Sequence, residues 1–389
     1  MKALSTSAAP GAASAAGPGR ATLGGHVLDQ LVRLAPVAEL KDADTIAYGQ
    51  VLMESLSDTA HRPLSLPPAS PSFISDDHTP VEFSLAFTRD ADPHLRVLVE
   101  PGCAVGDVAG SGRVGLAAIR EMAARWDFST AQLDAVEDLF FPADPQGPLA
   151  LWYALELRPG GVPGVKVYLN PSAAGPGNAA RTVREALRRL GHPHAFDVLP
   201  AGAGYPFIAL DLGDWATPRV KVYVKHPRMS ADDAATVSRT TPGLAEDQVT
   251  TFFQLAAGTV PLPGRRAEER QRLLRRPALT CHAFTDGKAT SPSGFTLHIP
   301  VRDYVRDDSE ALARATALLR HFGIGASALR RALSALTPRK LTDGVGLIAY
   351  LALAHEQHRQ PRVTAYLSSE AYAVRPPLTL PLREAVSLP

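Results

Sequence analysis

Residues 219–225, in which polar or aromatic side chains alternate with three valines, constrain the fold of this chain most strongly. Successive side chains of a β-strand point to opposite faces, so the alternation predicts a strand with its valines on one face. The other face then carries Arg219, Lys221, Tyr223 and Lys225. A surface strand with its charges in water has the same pattern, so one copy leaves both readings open.

The pattern recurs along the chain at long intervals. In each copy, a polar residue is followed two positions later by a large side chain. These pairs are Arg96 and Leu98, Lys166 and Tyr168, Lys221 and Tyr223, Thr296 and His298, and Thr364 and Tyr366. The polar members are 70, 55, 75 and 68 residues apart, with helical stretches between them. This spacing predicts one unit of two helices and two strands, copied about five times. Strands paired across short turns indicate antiparallel hairpins, unlike the parallel strands of a (β/α)8 barrel.

If the units close into a barrel, their polar faces line one lumen. Several Lys and Arg side chains would not be gathered in a closed interior without an anion to pair with. The pattern therefore favours an anion-binding lumen, and separate solvated faces are the alternative.

Composition limits the partners. The 389 residues include 45% hydrophobic and 20% charged residues, with a net charge of +1, which is typical of a globular protein and excludes a dominant polyanion-binding surface. Nucleic acid is therefore not an expected partner. No apolar run is long enough for a transmembrane helix, so no membrane partner is expected. Cys103 and Cys281 form neither a disulfide framework nor a metal-ligand spacing, which fits a cytoplasmic protein.

The predicted domain organisation has three parts. Residues 1–25 are rich in Ala, Gly, Ser and Pro and are predicted to be a disordered tail, residues 26–375 a single barrel, and residues 376–389 a Pro-rich C-terminal tail.

Three short segments match known functional motifs in residue type, but each lacks a feature that the motif requires. The glycines of residues 110–115 start eleven residues after Val99, whereas a dinucleotide-binding turn follows its strand at once. Residues 355–358 (His-Glu-Gln-His) lack the second histidine of a zinc-protease helix at the required position. None of the acidic pairs at residues 76–77, 232–233 and 307–308 has a further Asp three residues later, so each is predicted to lie in a loop or helix cap. A diphosphate bound here would be neutralised by Lys and Arg and not by Mg²⁺.

Glu82 is a carboxylate flanked by apolar strand residues. A glutamate on a strand usually faces water. If Glu82 faces the lumen, it can accept a proton or an N–H hydrogen bond.

Together these motifs resemble the dimethylallyltryptophan synthase family of aromatic prenyltransferases, in its bacterial indole branch. The resemblance covers residues 48–372 and rests on residues 73–84, on Arg96 before Glu100-Pro101, on Lys166-x-Tyr168, and on Arg219-x-Lys221-x-Tyr223. It implies an α/β fold of the αββα (ABBA) type, with ten antiparallel strands enclosing a lumen and ringed by helices.

The resemblance also implies residue roles. A prenyl diphosphate ionises to an allylic cation, fixed cations stabilise the leaving diphosphate, and aromatic rings shield the cation from water. The expected diphosphate ligands are Arg96, Lys166, Arg219, Lys221 and Thr296. The expected cation shield is Tyr168, Tyr223, His298 and Tyr366. Glu82, which would hydrogen-bond the indole N–H, and Lys166 are the expected catalytic residues, with no metal and no cofactor.

Some positions depart from the fungal members of the family. Those members tend to carry Gln-x-Tyr where this chain has Thr296 and His298. A fungal arginine contact has no clear counterpart beyond Arg359 or Arg362, and a fungal deprotonating lysine has none near residues 152–153. These departures indicate altered regiochemistry or acceptor choice.

The resulting expectation is an Mg²⁺-independent prenyltransferase, monomeric or homodimeric. Dimethylallyl diphosphate is the expected donor and L-tryptophan or another indole the acceptor, with the ring position left open. The alternatives are prenylation of a non-indole aromatic such as tyrosine or a naphthalene diol, and a non-catalytic barrel that binds a phosphorylated ligand.

Overall fold

Ten strands form a closed antiparallel barrel. A computed structural model describes residues 21–213, 218–243, 245–259, 272–357 and 359–379. The strands in this part are Val81–Phe87 (β1), His94–Val99 (β2), Leu151–Glu156 (β3), Gly164–Leu169 (β4), Ile208–Asp211 (β5), Val220–His226 (β6), Ala278–Phe284 (β7), Gly294–Ile299 (β8), Ile348–Glu356 (β9) and Arg362–Ser368 (β10). Each strand pairs with its neighbours in sequence, and β1 closes the barrel against β10. The predicted ABBA barrel is confirmed.

Helices precede each of the five strand hairpins. They are Leu23–Leu34 (α1), Asp42–Leu56 (α2), Val108–Trp126 (α3), Ala131–Asp134 (α4), Glu137–Phe140 (α5), Ala179–Arg189 (α6), Ala231–Ser238 (α7), Glu246–Ala257 (α8), Asp308–His321 (α9) and Ser327–Leu336 (α10). The third hairpin is preceded by the single α-helix α6, so the two-helix unit is not strictly repeated. No helix among the described residues is long and apolar enough to cross a bilayer.

The outer face of the barrel is the hydrophobic core. On β6, Val220 and Val222 point outward and are fully buried in the same cluster as Phe252 and Phe253 of α8. Burying one such side chain stabilises the fold by about 1.5–3 kcal/mol. The helices therefore hold the alternate residues of each strand inside the lumen, whatever the polarity of those residues.

The strand register arranges the lumen in rings. Hydrogen-bonded pairs lead from Tyr168 through Ala209 to Lys221, so the aromatic position of one unit shares a row with the polar position of the next. The same two-residue step relates Tyr223 to Thr296. Strands of a closed barrel tilt and stagger, and this step keeps equivalent residues at one level. The polar side chains form a ring near the hairpin turns, and the aromatic side chains form a second ring deeper in the lumen.

The ends of the domain differ from the predicted boundaries. Helix α1 begins at Leu23, inside the predicted tail, because the Thr22 side chain caps it by accepting a hydrogen bond from Gly25 N–H at 3.2 Å. Beyond the predicted end at residue 375, Leu378 N–H donates to the Arg306 carbonyl at 2.7 Å. Residues 1–20 and 380–389 of the two predicted tails lie outside the described residues.

The glycine motif of residues 110–115 lies inside helix α3. Asp107 caps this helix by accepting from Gly110 N–H at 2.6 Å. A Cβ atom at Gly115 would lie 2.8 Å from the Leu151 side chain, so glycine allows the helix to approach β3 closely. The motif serves helix packing, in agreement with its rejection as a dinucleotide site.

Two of the acidic pairs and the start of the segment 355–358 lie at the ends of helices and of a strand. Asp233 forms a capping box with Ser230 at the start of α7, and Asp307 caps α9. His355 and Glu356 end strand β9, whereas residue 358 lies outside the described residues.

Two buried histidines on the outer face of the barrel predict acid sensitivity. The Nε2 atoms of His226 and His282 lie 2.8 and 2.9 Å from the Thr280 hydroxyl. Burial lowers the pKa of His226 to about 4 and that of His282 to about 3. Histidines in the unfolded chain have a pKa of about 6.5, so the unfolded state takes up protons first as the pH falls. Their contribution to stability is complete above pH ~6.5 and is lost progressively below it.

Thermal unfolding between pH 7.5 and pH 5 tests this expectation. The melting temperature of the wild type should fall with pH more steeply than that of His282→Phe, which cannot take up this proton. The exposed His61 provides the control, because His61→Asn should keep the wild-type slope. Equal slopes for wild type and His282→Phe would contradict the assignment.

Candidate active site

The lumen opens at the hairpin-turn end of the barrel into a cavity of about 940 Å³. Its wall contains nine of the ten site residues predicted from the sequence, namely Arg96, Lys166, Tyr168, Arg219, Lys221, Tyr223, Thr296, His298 and Tyr366. The structure therefore brings these side chains into one cavity and not onto separate solvated faces. Lys225, predicted on the same strand face, is exposed near the other end of β6 and is not part of the cavity wall.

The inner wall of the cavity carries more cations than carboxylates. Leaving aside the exposed Arg158 and Arg359 at the rim, the cations are Arg96, Lys166, Arg219, Lys221 and Arg362, and the carboxylates are Glu156, Asp211 and Glu356. Five positive charges against three negative ones leave an excess that fits a multiply charged anion.

The carboxylates hold several of these cations in place. Lys166 Nζ lies 2.6 Å from Asp211 Oδ1, and Arg219 Nη1 lies 3.3 Å from Asp211 Oδ2. Arg219 also pairs with Glu356. Although burial opposes ionisation, Lys166 and its neighbouring cations lower the pKa of Asp211 to about 2. The carboxylate thus stays charged and orients two cations towards the cavity.

Lys221 and Arg362 make no ion pair with any residue that the structure describes. Lys221 is 8% exposed. Burial, with Arg219 and Lys166 nearby, lowers its pKa to about 7. Burial and the charge of Arg96 lower the pKa of Arg362, whose buried Nε atom has no hydrogen-bond partner among the described residues. An entering anion would stabilise both charged forms.

Sequence reasoning missed the carboxylates of this site. Glu156 pairs with Arg96 at 3.1 Å, and Glu356 belongs to the motif rejected as a zinc site. Strand alternation places Asp211 on the same face as Ala209, but only the register shows that this face meets Lys166. Acidic residues near the turns of polar-faced strands are the one signal that the sequence offered.

The structure separates the two arginines proposed to replace the missing contact. Arg362 lies in the inner wall, whereas Arg359 has a side chain that is 74% exposed and pairs with Glu356 at the rim. Arg362 is therefore the better placed of the two for an anion in the lumen.

Below the cations, aromatic rings form a continuous belt. Ring centroids are 5.9 Å apart for Tyr168 and Tyr223, 5.7 Å for Tyr223 and His298, and 5.7 Å for His298 and Tyr366. Burial and the charge of Lys221 lower the pKa of His298 to about 3, so the imidazole is neutral at pH 7. A neutral ring in this position does not repel a carbocation, and the aromatic faces of the belt attract one.

Three more rings extend the belt. Phe207 lies 5.9 Å from Tyr223 and 5.0 Å from Trp152, and Tyr350 lies 6.3 Å from Tyr366. Trp152 faces the lumen, whereas its neighbour Tyr153 faces outward and contacts Ser55. Strand alternation predicts that these rings face the lumen once the strand ends are known. The strand ends themselves could not be predicted from the sequence.

Glu82 lies deeper than the belt, on the lumen face of β1. Its side chain faces the interior, the orientation that the resemblance implies and that the residues alone left open, but it is 6% exposed and is not part of the cavity wall. Burial raises its pKa to about 8, with Arg302 opposing and Asp76 adding to the shift. The carboxyl is therefore mostly protonated at pH 7 before an acceptor binds. A bound N–H donor would favour the ionised form.

Comparison with known proteins agrees with this geometry. The tryptophan dimethylallyltransferase family model matches residues 47–332. The crystal structure of PriB in a binary complex with the product diphosphate is 61% identical, with a TM-score of 0.88 over 92% of this chain and 99% of that chain. The 5-dimethylallyl tryptophan synthase from Streptomyces coelicolor, in complex with DMASPP and Trp, is 59% identical, with a TM-score of 0.87 over 94% and 99% of the two chains.

A more distant relative shows the same similarity in structure. The 6-dimethylallyltryptophan synthase from Micromonospora olivasterospora, in complex with DMASPP and Trp, is 37% identical, with a TM-score of 0.84 over 92% of this chain and 100% of that chain. The resemblance seen in the sequence motifs is thereby confirmed, and the chain belongs to the tryptophan dimethylallyltransferase family.

Proposed function

We propose that this enzyme transfers the dimethylallyl group of dimethylallyl diphosphate to the indole ring of L-tryptophan and releases diphosphate. The observation that carries the proposal is the stacking, in one lumen, of an excess of cations directly above a belt of aromatic rings. Relatives about 60% identical were crystallised with the product diphosphate, and with L-tryptophan and dimethylallyl thiolodiphosphate.

The cation ring acts on the first step, in which the allylic C–O bond breaks and its electron pair leaves with the diphosphate. Negative charge builds on the leaving oxygens, and prepositioned cations stabilise that charge more than the ground state. Lys166 and Arg219, fixed by Asp211, are ready for this role without reorganisation. Lys221 and Arg362 supply the positive charge that no carboxylate of the site balances closely.

The aromatic belt acts on the carbocation. Water would convert the cation to an alcohol, and the rings of Tyr168, Tyr223 and Tyr366 both exclude water and stabilise positive charge. All three hydroxyls keep their protons at neutral pH, because burial raises the pKa of each tyrosine. The shield is therefore free of charge apart from the transient cation.

The indole then attacks the cation in a Friedel–Crafts alkylation. A π pair of the ring forms the new C–C bond, and positive charge spreads to the indole nitrogen. Transfer of the ring proton to the released diphosphate or to water restores aromaticity. A hydrogen bond from the indole N–H favours the ionised form of Glu82, whose proton is released to solvent, and the carboxylate would then stabilise that positive charge. The same Lys and Arg side chains make a magnesium ion unnecessary for neutralising the diphosphate.

The first experiment is mass spectrometry of the purified protein incubated with dimethylallyl diphosphate, L-tryptophan and EDTA. The expected product is tryptophan heavier by one C5H8 unit, and NMR then gives the ring position. Donor consumed only to the alcohol would overturn tryptophan as acceptor and favour a non-indole aromatic. An unconsumed donor would overturn catalysis and favour the non-catalytic barrel.

Replacement of the deep carboxyl group tests its role in turnover. Glu82→Gln should lower kcat by about 10²–10⁴-fold with little change in donor affinity, because a neutral amide does not stabilise the developing positive charge as a carboxylate does. Single-turnover kinetics and donor titration measure the two effects. Glu121→Gln, on the exposed surface of α3, is the control. Near-normal turnover of Glu82→Gln would remove this residue from the mechanism.

Replacement of the unpaired lysine tests the anion site. Lys221→Met should weaken binding of dimethylallyl thiolodiphosphate by roughly 10- to 100-fold, the usual contribution of a hydrogen bond to a charged group. Lys225→Met, four residues further along β6 and exposed, is the matched control and should bind normally.

Titration calorimetry also reports the protonation of this lysine. With a pKa of about 7 in the free enzyme, Lys221 is largely neutral at pH 8 and becomes charged beside the bound anion. Wild type should therefore take up more protons on binding at pH 8 than Lys221→Met, and lose affinity more steeply as the pH rises above 7. Identical proton uptake in the two proteins would contradict this assignment.

A further inference from the structure

The Asp211 carboxylate is already paired with two of the cations that face the cavity. Lys166 Nζ lies 2.6 Å from Asp211 Oδ1, and Arg219 Nη1 lies 3.3 Å from Asp211 Oδ2. Lys and Arg donate the same charge-assisted hydrogen bonds to carboxylate oxygens and to phosphate oxygens. An anion that enters the lumen therefore competes with Asp211 for the N–H groups of both side chains.

The backbone keeps Asp211 in this position. Asp211 is the register partner of Lys166 across strands β4 and β5, and its N–H donates to the Arg219 carbonyl at 3.2 Å. The Asp211 side chain is only 20% exposed. Because the residue is fixed from both sides, its carboxylate stays beside the two cations when an anion enters.

Asp211 also stays negatively charged. Burial opposes its ionisation, but the charges of Lys166, Lys221 and Arg219 lower its pKa to about 2. A diphosphate bound to the same cations therefore lies close to a fixed negative charge. In a partly buried site, like charges a few ångströms apart repel each other more strongly than they do in water.

The cavity thus contains two kinds of cation. Lys221 and Arg362 form no ion pair with the residues that the structure describes, and an anion binds them without displacing a protein carboxylate. Lys166 and Arg219 are prepositioned, and an anion has to share them with Asp211. The unpaired cations favour tight binding, whereas the paired cations give a fixed orientation with lower affinity.

The repulsion from Asp211 acts more strongly on the product than on the donor. Cleavage of the allylic C–O bond leaves its electron pair on the diphosphate, so the former ester oxygen gains negative charge. The released diphosphate can therefore carry one more negative charge than the donor ester. A fixed carboxylate in the site weakens binding of the product more than binding of the donor.

We propose that Asp211 is a positioning residue that orients Lys166 and Arg219 in the empty site and then promotes release of the diphosphate product. The inference rests on the proposed function and adds product release to it. Asp211 acts through the two cations and through its own charge, and it takes no part in bond formation. Without this carboxylate, the site would bind diphosphate more tightly and turn over more slowly.

Titration calorimetry with inorganic diphosphate at pH 7 tests the competition. Asp211→Asn keeps the size of the side chain and removes its charge, so this variant should bind diphosphate roughly 10- to 100-fold more tightly than the wild type. Asp211→Glu restores the charge and should return the affinity towards that of the wild type. Asp92→Asn, in the exposed turn between β1 and β2, is the control for a general change in net charge and should bind normally.

Quench-flow kinetics with dimethylallyl diphosphate and L-tryptophan test product release. In Asp211→Asn, a rapid burst of product should precede a steady state in which kcat is roughly 10- to 100-fold lower, because diphosphate leaves slowly. The single-turnover rate should change much less, because loss of orientation and loss of repulsion have opposite effects on C–O cleavage.

The possible results separate the roles of Asp211. Equal or weaker diphosphate binding by Asp211→Asn would overturn the competition, since a residue that only holds the cations in place predicts weaker binding. Tighter binding with an unchanged kcat would overturn the role in release. If Asp211→Asn does not fold, Glu356→Gln, which removes the other carboxylate paired with Arg219, decides in the same way. Absence of transfer to any aromatic acceptor in the wild type would instead overturn the proposed function itself.

Discussion

Positive charge that the protein does not neutralise by itself, held inside a closed barrel, is the constraint on which the rest of the structure depends. Lys221 is buried and Arg362 is half-buried, neither makes an ion pair with the described residues, and burial lowers the pKa of both. Such an arrangement persists only if other interactions outweigh its cost. The outward valines of β6, packed against α8, and the equivalent residues of the other strands provide that stabilisation. The site is thus a strained electrostatic arrangement built on a hydrophobic exterior.

The two ends of the lumen differ in charge, and this difference sets the orientation in which the two substrates fit. Five cations face three carboxylates near the hairpin turns, whereas the three guanidinium groups of Arg276, Arg302 and Arg375 face two carboxylates at the closed end. Between them lies a belt of neutral rings, including His298. The multiply charged diphosphate of the donor fits the end with the larger cation excess, so the reacting carbons of donor and acceptor would meet at the belt.

The fold and most of the site could be predicted because the relevant signal is local. Strand alternation and its recurrence at long intervals give the hairpins, and Lys166-x-Tyr168 or Thr296-x-His298 gives the lumen-facing side chains. The carboxylates could not be predicted in the same way. Asp211 is one more polar residue at a strand end until the register sets it opposite Lys166. Register depends on how the strands stagger as the barrel closes, which no single stretch of sequence specifies.

Protonation states are still harder to predict from the sequence, because they depend on burial. The resemblance implies that Glu82 hydrogen-bonds the indole N–H, but only the structure shows that its surroundings raise its pKa to about 8. Arg302 lies in a segment with no strand pattern, and only the structure shows that it is buried, with guanidinium nitrogens that have no hydrogen-bond partner among the described residues. A hydrogen bond from a bound indole N–H would favour the ionised form of Glu82, so its protonation depends on the acceptor as well as on burial.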